Sequence, residues 1–200
     1  AIESIVGQIP SDLDVDGNDD QLVDNVTFLV NGGPTGWSDL LWPHRWSLTT
    51  YDVYINDSKV DAYNLNLLSG NPSYFTVGTL CHEFFHSLGV PDLYHYVDSP
   101  TPTPVGGWDV MEKTTDIPQY TGAWMKYRYA NWLDCPLIES GGTYSLNPLQ
   151  KQENSCYIIK SSYSESQLFA LEYRKQEGIY ESNLPGIKDG LLVYRINLDI

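Results

Sequence analysis

Residues 74–92 read YFTVGTLCHEFFHSLGVPD, and this stretch decides the architecture. Leu80, Phe84 and Leu88 recur every four residues, flanked by Val77, Cys81 and Phe85, which is the periodicity of an amphipathic helix. Ser73 or Thr76 offers a hydroxyl to cap its start, and Gly89 suits the left-handed turn that ends a helix. Within the helix lies His82-Glu83-Phe84-Phe85-His86. Histidines one turn apart leave the same face, so both imidazoles can reach one metal ion about 2 Å from each nitrogen. Glu83 projects beside them, displaced from the ligand positions but able to take a proton from water. Past the glycine the chain turns back, and Asp92 returns as a third donor. Three protein ligands leave an open position, which is the geometry of a catalytic zinc ion rather than a structural one.

Upstream of this helix the sequence alternates. Val26, Phe28 and Val30 form one expected strand, ended by Asn31-Gly32-Gly33-Pro34. Tyr51, Val53 and Ile55 form another; Asn56-Asp57-Ser58 turns, and Val60 to Leu65 is expected to return beside it. Residues 1–9 carry Ile2, Ile5, Val6 and Ile9 at helical spacing and read as the tail of a helix. Downstream, Tyr120 to Leu133 reads as a second helix, stopped by Cys135-Pro136, and strands are expected at 143–146, 156–160, 167–174 and 190–197. The expected organisation is therefore α+β: a catalytic part over residues 1–134, with a mixed sheet and the metal-bearing helix, and a β-rich extension over residues 135–200.

Composition narrows the function. Eleven Lys and Arg against 26 Asp and Glu give a formal charge of −15 over 200 residues. Such a surface has no basic patch to release counterions from nucleic acid, nor one to dock on anionic lipid. Hydrophobic residues at 42% and aromatics at 13% are enough for a sizeable core. No apolar run approaches the roughly 20 residues of a membrane span. The chain begins at Ala1 with no leader-like segment, so any targeting segment is expected to have been removed.

Four further features stand out. Asp12, Asp14, Asp16, Asn18 and Asp24 place alternating oxygens around Gly17, a pattern that suits calcium; the other reading is a solvated acidic loop, since the spacing departs from an EF-hand. Cys135 and Cys156 are available to pair, leaving Cys81 as an expected buried thiol. Trp37, Trp42, His44 and Trp46 either line a cleft or, the preferred expectation, pack in the core. Glu172 and Arg174 share a strand face and are expected to pair.

HExxHxxGxxD, with GGWDVM at 106–111, resembles the metzincin metallopeptidases. More narrowly, HEFFHSLGVPDLY and GGWDVM are similar to the immune inhibitor A-like family of secreted bacterial metallopeptidases. DVDGNDDQLVDNVTFLVNG, LLWPHRW, and LEYRKQEG through LPGIKDGLLVYRI extend the likeness over most of the chain. The resemblance implies a zinc endopeptidase exported from the cell and acting on proteins or peptides. It implies His82, His86 and Asp92 as zinc ligands, Glu83 as general base, and Met111 as a non-catalytic floor. Aspartate stands where better-known metzincins have a third histidine, and His95 is the neighbouring competitor for that place. The oxyanion-stabilising group is unassigned, with Tyr94, His95 and Tyr96 as the nearby choices. Two other classes remain open: a catalytically silent binding or adhesion module that keeps the metal, and a calcium-stabilised glycan-binding β-domain.

Overall fold

A computed structural model describes residues 1–33, 41–68, 76–96, 103–151, 153–186 and 189–199. Two compact units divide the chain, Ala1–Ser87 and Leu88–Ile200, and the whole is a mixture of strands with few helices.

In the first unit, β1 (Thr27–Asn31) runs parallel to β5 (Ala62–Leu68), and β2 (His44–Ser47) lies antiparallel on the other side of β5, giving a mixed sheet in the order β1-β5-β2. The helix α1 (Val77–Ser87) packs on β2 and β5. A separate hairpin joins β3 (Tyr54–Ile55) to β4 (Ser58–Lys59). Its two turn residues, Asn56 and Asp57, both have positive φ (47° and 70°), the backbone of a type I′ turn that matches strand twist. The return from this turn is thus Ser58–Lys59, prolonged by the Val60 N–H bond to the Val53 carbonyl (2.8 Å), while the segment expected to complete the hairpin is the central strand of the other sheet. Ile2, Val23, Val53, Ile55 and Val60 form the buried core, joined by Val6, Ile9 and Phe28.

The first nine residues are not α-helical. They make two 3₁₀ turns, Ile2–Ser4 and Val6–Gln8, with i→i+3 bonds such as Ile5 N to Ile2 O at 2.9 Å. β-Branched residues and Gly7 have little helix propensity, and burying Ile2 against the Val53 cluster decides the backbone instead. Trp46 also departs from expectation: it is 63% exposed rather than packed. Trp42 stacks on His44 at 4.3 Å, and Trp37 lies outside the described residues.

In the second unit, β6 (Cys156–Lys160), β7 (Gln167–Lys175) and β8 (Asp189–Asn197) form an antiparallel sheet with β7 in the middle. Cys156, Ile158, Leu168 and Ala170 bury one face of it with Trp124, Leu133, Cys135 and Leu149. Cys135 and Cys156 form a disulfide, as their availability suggested. Residues 143–146 are irregular, flanked by Gly141-Gly142 and by Pro148, which removes a ladder donor. The second helix is shorter than its sequence pattern: α2 (Ala123–Met125) runs into a π turn over Lys126–Ala130 and stops at Asn131, whose φ is 53°.

Candidate metal centre

The sequence places α1 firmly. Thr76 Oγ1 accepts the Thr79 N–H at 3.0 Å, an N-cap in which the hydroxyl satisfies a donor the first turn leaves open. Pro72 and Ser73, the other expected opening, lie outside the described residues. At the far end Ser87 is tied down: its Oγ accepts from Asn25 Nδ2 (2.8 Å) and from the buried Asn64 Nδ2 (3.0 Å) on β5. Gly89, at φ +83°, then takes the left-handed turn read from the sequence.

This anchoring fixes which residues face inward. His82 and Glu83 are buried, and Phe84 between them and His86 turns outward. The His82 and His86 rings stand edge to face with centroids 4.8 Å apart, as two side chains one helical turn apart must if they share a target. A donor atom from His82, one from His86 and one from Asp92 all lie within 4.8 Å of one another. Among the described residues, this is the one group of three or more His, Cys, Asp or Glu side chains so placed. Two imidazole nitrogens and a carboxylate oxygen are the donor types that zinc accepts. His95 is exposed and outside the group.

Asp92 is itself positioned. Tyr96 donates its phenol to Asp92 Oδ2, and that bond, helped by partial burial, pushes the Tyr96 pKa up to about 12. Tyr94 lies ring to ring with Tyr96 at 5.5 Å. One residue past Asp92, the Leu93 N–H bonds to the carbonyl of the fully buried Met111 at 3.0 Å. The Met111 turn is closed from behind by Asp109, whose Oδ1 accepts the Met111 N–H at 2.8 Å. Asp109 Oδ2 accepts from Gly122 N at 2.6 Å and Thr121 Oγ1 at 3.1 Å. Burial pushes the Asp109 carboxyl pKa up, against those backbone donors. Cys81 is half-buried rather than fully enclosed, and that burial raises its thiol pKa.

The acidic loop is organised by hydrogen bonds. Asp16 accepts from Asp20 N (3.0 Å) and Gln21 N (2.7 Å), Asp14 from Asp16 N (3.1 Å), Asn18 from Asp20 N (3.3 Å) and Asp24 from Gly17 N (3.0 Å). Its carboxylates are not among the gathered donors.

Several residues that shape the site carry no local sequence signal. Asn25 and Asn64 meet Ser87 from 62 and 23 residues away. Asp109 was visible only as a letter in GGWDVM, and Glu181 not at all. A charged residue inside an otherwise apolar strand pattern marks Glu172 and Arg174, but Asp109 and Glu181 lie in bends and turns where charge carries no such signal.

The sequence profile of the immune inhibitor A peptidase M6 catalytic domain matches residues 21–131. Immune inhibitor A of Bacillus thuringiensis subsp. alesti is 28% identical over 123 residues, which cover 52% of this chain and 17% of that protein. The chain thus spans only about a sixth of that relative's length. No solved structure matches the chain.

Proposed function

The chain belongs to the immune inhibitor A peptidase family, and from that premise we propose that it is a zinc-dependent endopeptidase, exported from the cell, that cleaves protein or peptide substrates. The gathering of His82, His86 and Asp92 on and just after one helix, with Glu83 buried next to His82 in the sequence of that helix, is the observation that carries this reading. These three side chains would hold the ion. When bound, zinc lowers the pKa of a water to about 7 and polarises the scissile carbonyl. Glu83 takes the proton from the attacking water and passes it to the leaving amine. It stands one residue from His82, on a helix fixed at both ends, and is not one of the three gathered donors.

Met111 contributes no proton and no ligand in this reading; its buried turn supports the backbone next to Asp92. We assign the peptidase domain to residues 1–134 and a β-rich extension to residues 135–200; the family match over 21–131 supports the first of these. Export is supported by the Cys135–Cys156 disulfide, because such bonds persist in oxidising compartments. Hard oxygens on Asp12, Asp14, Asp16, Asn18 and Asp24 support calcium as a second, structural ion.

The test is metal analysis of the purified protein together with turnover of a quenched peptide. Stoichiometric zinc, and turnover abolished by a chelator and restored by zinc, support the assignment. Zinc bound without turnover of any peptide would favour a silent binding module, and the absence of zinc would remove the basis of the proposal.

A further inference from the structure

Behind the Met111 turn lies a buried ionic cluster that no step of the peptidase reading uses. Arg174, Glu172 and Glu181 have no solvent exposure, and Asp109 has almost none. All five Arg174 N–H groups have acceptors within reach. Nε donates to Glu181 Oε2 (2.7 Å) and Nη2 to Glu181 Oε1 (2.6 Å), a two-point fork. Nη1 donates to Glu172 Oε1 (3.0 Å) and to the Trp108 carbonyl (2.8 Å), and Nη2 reaches the Tyr120 carbonyl (3.4 Å). The carboxylates are satisfied in turn. Glu181 Oε1 accepts the Tyr120 N–H (3.0 Å), Glu172 Oε2 accepts the Ala123 N–H, and Glu172 Oε1 accepts the Tyr194 phenol (3.2 Å).

Two of these bonds end on backbone that leads into the Met111 turn. Trp108 precedes Asp109, whose carboxylate closes the turn, and Tyr120 precedes Thr121 and Gly122, which bind that carboxylate. Gly122 is wedged between the two acids: a Cβ there would sit 3.4 Å from an oxygen of Asp109 and 3.4 Å from one of Glu172. The turn then passes its position to Leu93 through the Met111 carbonyl, and Leu93 is bonded in sequence to Asp92.

We propose that Arg174, with Glu172 and Glu181, is a positioning device for the metal centre: strand β7 clamps Trp108 and Tyr120, holds the Met111 turn, and through Leu93 sets the place of Asp92. This rests on the zinc reading above. A buried charge is justified energetically only when fully bonded, so a cluster this complete holds one geometry and resists its neighbours. It also makes the β-rich region a working part of the peptidase rather than an appendage.

Arg174→Lys in the full chain is the test, because lysine keeps the charge but cannot fork to Glu181 while reaching Trp108. The comparator is Cys135→Ser/Cys156→Ser, which loosens the same sheet beside Glu172 but removes no hydrogen bond of the cluster itself. Two quantities are read: amide exchange at Leu93 and Met111, and zinc affinity by chelator competition. We expect Arg174→Lys to speed exchange at both amides at least tenfold beyond the comparator and to weaken zinc about 10- to 100-fold. Exchange and zinc affinity no worse than in the comparator would overturn the proposal. If Arg174→Lys does not fold, Tyr194→Phe removes one bond to Glu172 and is read the same way: a local, few-fold rise at those two amides supports the clamp, and none overturns it. Wild-type protein that binds no zinc sinks the peptidase reading; normal zinc binding with unmoved exchange in the variant sinks the clamp alone.

Discussion

Glu181 grips Arg174 with both carboxylate oxygens, at 2.6 and 2.7 Å, where neither side chain touches solvent. Removing one partner strands the other charge in a poorly polarisable interior. Glu181→Gln is therefore expected to destabilise the protein by about 3–5 kcal/mol, the range for breaking a buried pair from one side. Urea unfolding measures it; a loss below about 1 kcal/mol, typical of exposed pairs, would mean that solvent reaches the cluster.

Glu83→Gln separates metal binding from catalysis. Glutamine keeps the shape and hydrogen-bonding reach of the buried side chain but accepts no proton at neutral pH. The variant is expected to fold, to bind zinc as the wild type does, and to lose about 10³-fold or more in kcat/KM. Near-normal turnover would take the role of base away from Glu83.

Lys126 gives stability a pH dependence of definite sign. Burial, reinforced by the nearby Arg174 guanidinium, lowers its pKa from 10.5 to about 8. Between pH 8 and 10.5 the unfolded chain thus binds more protons than the folded one, so this residue makes stability rise with pH across that window and contributes no slope below it. The full effect is of order 3 kcal/mol. Between pH 7 and 9.5 the unfolding free energy of the wild type should rise relative to that of Lys126→Met; parallel curves would show that Lys126 is not buried in its charged form.

Asp16 holds the acidic loop through two backbone N–H groups and, at 3.4 Å, the Ser58 hydroxyl. Asp16→Ala is expected to lower stability by about 0.5–1.5 kcal/mol, because the exposed donors it releases turn to water. The same melts in calcium and in chelator read the second ion: a higher melting temperature in calcium, lost in Asp16→Ala, assigns it to the loop, and superimposable curves leave the loop to its hydrogen bonds.

Sequence made the local parts readable. Helix α1 and its donors fall within nineteen residues, where a period of four, a capping hydroxyl and a stop glycine all agree. Strands β6, β7 and β8 announce themselves by alternation, and Glu172 and Arg174 by sharing a face of β7. What failed was non-local. Alternation at Ala62–Leu68 says strand but not which partner, so the segment went to the hairpin rather than to the centre of the mixed sheet. Ile2, Ile5, Val6 and Ile9 fit helical spacing, yet short 3₁₀ turns bury Ile2, half-bury Val6 and Ile9, and leave Ile5 exposed. The clamp was invisible because Arg174 meets Trp108 across 66 residues, and one buried ion pair on a strand does not disclose its third and fourth members.

The Cys135–Cys156 bridge bears on how any of these experiments is run. Material produced in a reducing bacterial cytoplasm would reach the bench with those sulfurs open and its second unit loosened. Dithiothreitol would act twice, cutting the bridge and competing for zinc, so inhibition by a thiol reagent cannot be counted as evidence for a metalloenzyme; phosphine reductants and nitrogen-oxygen chelators keep the two effects apart.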